Sequence, residues 1–406
     1  MSVVDIHESA HRIADDTEAL EVAERLSRRF ATEAVERDAH RILPHAEIRE
    51  LARSGLLGLS VPREFGGIDV STEILAEVFR LLAEGDSSIA QIPHSHFTFL
   101  EALRFQGSDG QKKFFYTKAL AGEQFANAQS ERGNKTIDID NTTLTLTPGG
   151  LVLNGRKFYC TGALFADWIV VRAAHAQEFT ASGAQVKSIV FLPRDTPGLA
   201  IVDDWDGMGQ KTTASGTVTL ESISVPAFNV VPFTPLFTRP TTYGARAQIL
   251  HAAIDTGIAS AALQESVEQA ARARPFFEAK VDTAVEDPLL VQIVGEVAVE
   301  VRAARSLLAD AARSIDAARL DPTEESTARA SIDAATAKVV GARASLAATS
   351  TLFEAGGTRS AGDSANLSRF WRDARTHTLH DPTRWKVQHI GRWTLSGTTP
   401  PRHGLL

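Results

Sequence analysis

The sequence predicts a mainly α-helical protein interrupted by a central β domain. An N-terminal α-helical domain is expected over 1–122, an antiparallel β sandwich or barrel over 123–235, and a C-terminal four-helix bundle over 236–406. Two observations predict this order. Apolar residues recur every three or four positions at both ends of the chain, whereas the middle alternates with a period of two. Alanine is abundant while aromatic residues make up only 7% of the 406 residues, as suits helices packed closely along their length.

The elements follow in order. Leu20, Ala23, Leu26, Phe30 and Ala34 form a ladder that predicts a helix over Thr17–Glu36, and a second is expected over Ala46–Ser54, ending at Gly55. A third is expected over Ser71–Ala83, with Ser71 as its N-cap. Asp86–Leu103 reads as a further helix carrying His94 and His96, with Pro93 able to kink or restart it. Short β-branched runs such as DWIVVRAA and GTVTLESISVP, separated by Gly, Pro or Asn, predict the strands. Long helices are expected over Arg246–Arg274, Asp287–Arg319 and Thr323–Glu354, which argues for a bundle.

Bulk properties exclude several classes. Net charge is −8 with no basic stripe, so nucleic acid is not an expected partner. No apolar run is long enough to span a bilayer, and no membrane association is expected. The acidic N-terminus lacks a basic segment followed by an apolar one, so no secretory leader is expected. A single cysteine, Cys160, can form no intrachain disulfide, which suits a cytoplasmic location.

Four segments in order carry a resemblance over nearly the whole chain. They are VPREFGG (Val61–Gly67), FANAQSERG (Phe125–Gly133), GRKFYCTGALFADW (Gly155–Trp168) and EAGGTRSAGDSANLSRFWRDART (Glu354–Thr376). Together they resemble the acyl-CoA dehydrogenase superfamily of flavoproteins. With NAQSE, KFYCTG and RFWRDARTHTLHDP, the chain is closer to the branch of flavin-dependent monooxygenases related to dibenzothiophene monooxygenase and the sulfur-acquisition oxidoreductases. The resemblance implies a C4a-(hydro)peroxyflavin that oxygenates a small, sulfur-containing substrate with O₂, using reduced FMN from a separate flavin reductase. FAD is the alternative cofactor. A homodimer or homotetramer is implied as well.

The resemblance also assigns residues. Thr161 lies at the position that meets the flavin N5 edge; its alternative is a solvated strand threonine. Tyr159 either covers one ring face or is a packed strand aromatic. Asn127 and Ser130 would bond the pyrimidine edge, or else serve the turn. Arg272, in ARARPF, would grip the cofactor phosphate across a subunit interface, or cap a helix end in solvent. Gly356 and Gly357 would let the backbone approach a phosphate or turn sharply. His96 and His380 match active-site histidines of the branch, and His377 falls near the cofactor with His94 as a packing neighbour. His251 and His403 have no such context.

RTHTLHDP departs from the dehydrogenases. Where their catalytic glutamate follows Tyr and precedes Gly, this chain has His380, Asp381 and Pro382. A carboxylate one methylene shorter would be misplaced for α-proton abstraction, which needs contact near ~3 Å. Two alternatives therefore stay open: an FAD-dependent acyl-CoA dehydrogenase with Asp381 as base, and a flavin-binding protein without catalysis. A metal is not expected, because His377 and His380 share a helical face but no third ligand is in view.

Overall fold

The computed structural model describes residues 10–406. The first nine residues, where the reading of a missing leader begins, lie outside the described residues. The N-terminal helices are α1 (Asp16–Ala31), α2 (Ala34–His40), α3 (His45–Arg53), α4 (Thr72–Gly85), α5 (Ser87–Gln91), α6 (His94–Gln106) and α7 (Asp109–Leu120). Ser71 caps α4 by accepting from the Ile74 N–H, as expected. The ladder expected to run to Glu36 breaks into α1 and α2, and the stretch from Asp86 breaks at Ile92–Pro93 into α5 and α6. Pro93 lacks an N–H, and a new helix starts at His94 immediately after it.

The middle of the chain gives β1 (Phe125–Ala128), β2 (Thr143–Thr147), β3 (Gly150–Lys157), β4 (Trp168–Phe179), β5 (Gln185–Pro193), β6 (Leu199–Val202), β7 (Thr217–Val225) and β8 (Val230–Pro232). They form one eight-stranded sheet in the order β6-β7-β3-β2-β4-β5-β8, with β1 also paired to β4. The expectation of a wholly antiparallel sandwich or barrel is corrected here. Both β1 and β2 run parallel to β4, and the sheet is open, with β6 and β8 at its ends. Strands β1 and β2 lie end to end along β4, pairing with its first and second halves. The segment between them, 129–142, therefore loops out of the sheet.

The long C-terminal helices are α8 (Tyr243–Arg272), α9 (Pro288–Leu320) and α10 (Glu324–Gly356), followed by α11 (Ser368–His377) and α12 (Thr383–Ser396). Asp287 and Thr323 cap α9 and α10, so Asp321-Pro322-Thr323 ends one helix and starts the next. Leu26, Phe30 and Phe79 pack with Ile249, Ile254 and Ile315 in one core, which joins the two helical domains. A second core of Phe99, Phe115, Phe125, Trp168 and Phe191 clamps α6 and α7 onto the sheet. These cores fix the start of α6 beside β1 and the first half of α8. No described helix is long and apolar enough to cross a membrane.

Candidate active site

A cavity of about 950 Å³ opens where the three parts of the chain meet. Helix α8 presents Tyr243, Ala247, Gln248 and His251 to it, a spacing that keeps one helical face inward. Helix α6 contributes His94 and Thr98, and the loop after β1 contributes Gln129 and Ser130. Phe233, Phe237, Phe179, Ile137 and Ile139 supply apolar wall. The C-terminal segment closes one side with Arg402, His403 and Gly404.

Histidines gather at its inner end. The rings of His94 and His251 stack at 3.9 Å between centroids, and the His380 ring lies 4.1 Å from that of His251. His94 Nε2 donates to the Ala247 carbonyl (2.9 Å), and burial pushes its pKa down to about 3, so it is neutral. His380 is 41% exposed on its side chain and points Nδ1 at Asp381 Oδ1 (3.0 Å). Lys386 Nζ holds the other Asp381 oxygen at 2.6 Å. Burial opposes that carboxylate's charge, yet the His380 bond and the Lys386 ammonium hold Asp381 well below the usual carboxylate range. Behind His251 stands His377, with its Nε2 3.1 Å from His251 Nδ1 and its Nδ1 2.5 Å from Asp255 Oδ1.

The expected residues divide into groups. Asn127, Ser130 and His380 line the cavity; Asp381 and His377 are buried directly behind it. Tyr159 and Thr161 are not in its wall. They lie one step away, because Asn127 Nδ2 donates to the Tyr159 carbonyl (3.2 Å). Tyr159 has the left-handed φ of 57° and meets Trp205 edge-on, and Thr161 Oγ1 shares a hydrogen bond with Ser215 Oγ (2.7 Å). Gly162, at φ +81°, lets this segment pass the Ile92 carbonyl, which a Cβ would approach to 3.0 Å.

The expectation for His96 needs correction. Its ring is fully buried, accepts from the Phe125 N–H at Nδ1 (3.2 Å) and donates from Nε2 to the Leu57 carbonyl (2.8 Å). One nitrogen ties α6 to β1 and the other ties it to the turn at Leu57, so both are consumed, and His94, two residues earlier, faces the cavity instead. Arg272 sits at the far end of α8, 63% exposed and paired with Glu268 (3.7 Å). It lies roughly 30 Å along the helix from His251, so a cofactor contact from Arg272 at this cavity would have to come from another copy. Gly356 packs against Gln269 at that same end, with Gly357 next to it.

Sequence reasoning missed His251, Asp255, Lys338 and Lys386. A signal was available: His251 and Asp255 are one helical turn apart on an otherwise alanine- and isoleucine-rich stretch, and fully buried polar residues need partners.

The donor set decides what the cavity can hold. His251, His380 and Asp381 bring one ligand atom each within 4.8 Å of one another. Lys386 already occupies Asp381, and His251 Nδ1 is engaged by His377, so this corner is a poor cation site. A flavin fits better. The apolar walls suit a flat ring, Asn127, Gln129 and Ser130 offer a polar edge, and the buried Gln248 Oε1 at the cavity has no protein partner.

Three family models match consecutive stretches of the chain: the acyl-CoA dehydrogenase N-terminal domain over 16–123, the middle domain over 125–223 and the C-terminal domain over 249–385. The dibenzothiophene monooxygenase of Rhodococcus qingshengii is 30% identical over 401 residues, covering 96% of each chain. The probable FMNH2-dependent monooxygenase SfnC of Pseudomonas putida is 32% identical over 94% of this chain and 96% of its own. The crystal structure of FMN-bound TdsC from Paenibacillus sp. superposes with a TM-score of 0.90 at 30% identity, covering 96% of this chain and 100% of that one. The chain belongs to the acyl-CoA dehydrogenase family, in the branch that contains the dibenzothiophene monooxygenases.

Proposed function

We propose that this chain is a reduced-flavin-dependent monooxygenase that oxygenates a small, neutral, apolar sulfur compound. The observation that carries the reading is the state of Asp381. At the position where a dehydrogenase carries its base, the carboxylate is pinned by Lys386 and bonded to His380. A carboxylate stabilised this strongly in its charged form is a weak base, which argues against an acyl-CoA dehydrogenase using Asp381. It is instead suited to orient His380.

Relatives named for FMN or FMNH2 support FMN over FAD, and in this reading a separate flavin reductase delivers the reduced cofactor. Bound reduced flavin would supply the two electrons that activate O₂. The chain's own part is to hold the ring edge with Asn127 and Ser130, with Tyr159 and Thr161 behind them. His380 gives and regains a proton at the cavity surface. The apolar wall keeps out water. Arg272, Gly356 and Gly357 would serve the cofactor of a second copy in a homodimer or homotetramer.

Charge at the wall favours a neutral substrate. The cavity cations Arg172 and Lys187 are both taken up by Asp140, at 2.8 Å each, and Arg402 pairs with Glu324 (3.4 Å). An organosulfur acid would thus find its cations engaged, whereas an aromatic thioether would meet Phe233, Phe237 and Tyr243.

Anaerobic titration tests the cofactor and the reaction class together. Reduced FMN should bind more tightly than reduced FAD, and acyl-CoA esters should leave bound oxidised flavin unbleached. Bleaching by an acyl-CoA that is lost in Asp381→Asn would overturn the proposal in favour of a dehydrogenase.

A further inference from the structure

We infer that His251 is a second proton-accepting group of this site, beside His380, held in a single tautomer by a buried chain of positioning residues, Lys338, Asp255 and His377. The inference rests on the reading of the cavity as a reaction chamber. It goes beyond that reading by assigning a group and a direction of proton flow.

The chain is assembled from three helices. Helix α10 supplies Lys338, whose Nζ is 2.7 Å from Asp255 Oδ2. Asp255 and His251 are one turn apart on α8, and α11 ends at His377, which bridges them. All four side chains are buried. Lys338 and His377 outweigh burial and keep Asp255 ionised, with its pKa below the usual value.

Hydrogen-bond directions then follow without choice. An ionised carboxylate only accepts, so His377 Nδ1 carries a hydrogen. Burial lowers the pKa of His377 and, more strongly, that of His251, so both are neutral at rest. His377 Nε2 is thus a lone pair, and His251 Nδ1 must donate to it across 3.1 Å. The opposite tautomer of His251 would set two buried lone pairs against each other. The nitrogen left for the cavity that His251 lines is Nε2, as an acceptor.

The transfer balances simply. One proton arrives at His251 Nε2 from a group in the cavity, and the Nδ1 proton leaves to His377 Nε2. No electrons move. The resulting imidazolium is His377, against the Asp255 carboxylate. Other titratable groups near His251 are His94 on α6 and His380 after α11, with Asp381 and Lys386 behind His380.

The test reads tautomers in the flavin-free protein. Nitrogen-15 NMR of histidine-labelled chain should show neutral His251 with hydrogen on Nδ1. Asp255→Asn, with its amide NH₂ turned to His377, should reverse both rings and place the hydrogen on His251 Nε2, as loss of a carboxylate does in a Ser-His-Asp triad. Finding Nε2–H in the wild type, or no change in a folded Asp255→Asn, would overturn the inference. Should that variant not fold, His251→Gln and His377→Gln provide the second arm. Each should lower substrate-coupled turnover by ~10²-fold, the double variant should be no worse than either, and reduced-FMN affinity should hold. Independent, additive losses would also overturn it. The NMR arm needs no reaction, so correct tautomers without oxygenation would sink the proposed function and leave the relay intact.

Discussion

His380 Nδ1 lies 3.0 Å from Asp381 Oδ1, and Lys386 Nζ grips the second oxygen of that carboxylate at 2.6 Å. One oxygen of the carboxylate thus faces the His380 ring and the other the Lys386 ammonium. Asp381→Asn should strand a buried ammonium and destabilise the fold by about 3–5 kcal/mol. It should also lower turnover by ~10²-fold. Adding Lys386→Met should restore most of the stability, measured by denaturant unfolding, but not the turnover. Recovery of both would show that Asp381 acts only through folding.

His94 and His96 should separate cleanly. His96 bonds two backbone groups, so His96→Ala should cost about 1–3 kcal/mol of stability while the folded enzyme keeps its turnover. His94→Ala opens the cavity wall beside His251 and should reduce turnover with less loss of stability. Paired thermal melts and initial rates check this. Equal turnover losses in the two variants would contradict the placement of His96.

Stability should fall as pH drops from 7 towards 5. Burial pushes His94 down to about 3 and His96 to about 4, and lowers His251 and His377, while the unfolded chain titrates near the ordinary 6.5. Between those values the unfolded state binds more protons, so stability is full above about 6.5 and is lost as pH falls. Asp373, which burial raises to about 7, works the other way: its stabilising share is full below its unfolded value of 3.8 and fades as pH rises towards 7. Burial also raises Asp86 and Glu84, in the same sense as Asp373. Asp373→Asn should therefore steepen the loss on acidification by up to about 1.4 kcal/mol per pH unit. Melting midpoints of both proteins from pH 8 to 5 check the sign.

The cavity loop has a charged anchor. Lys157 is fully buried, with Nζ 2.7 Å from Glu131, 2.8 Å from Asp140 and 3.1 Å from the Gln129 carbonyl. Lys157→Met should leave the Glu131 carboxylate without its ammonium, while Asp140 keeps Arg172 and Lys187; it should cost about 3–5 kcal/mol and speed amide exchange first over 129–142. Uniform exchange, with no preference for that segment, would deny the anchor its local role.

The legible parts of this molecule were those set by local pattern. Ser71, Asp321-Pro322-Thr323 and Pro93 mark helix ends because caps and proline act within a few residues. Strand direction was not legible: β1 and β2 run parallel to β4 through pairings that alternation along one strand cannot reveal. Asn127, Ser130 and His380, singled out by their motifs, line the cavity. His94 and His96 could not be told apart, because two residues on a largely buried helix differ only in what packs against each. His251 could be flagged as a buried polar residue, but its partner could not be named, for a related reason. Its partner His377 is 126 residues away, and only the fold brings them to 3.1 Å.

The most direct test of the central claim is the fate of molecular oxygen. Protein supplied with reduced FMN, ¹⁸O₂ and a panel of neutral aromatic thioethers should yield, from at least one of them, a sulfoxide carrying one ¹⁸O atom, detected by mass spectrometry, with loss of signal in His380→Gln. Hydrogen peroxide as the sole oxygen product across neutral organosulfur compounds, with reduced FMN bound, would contradict it.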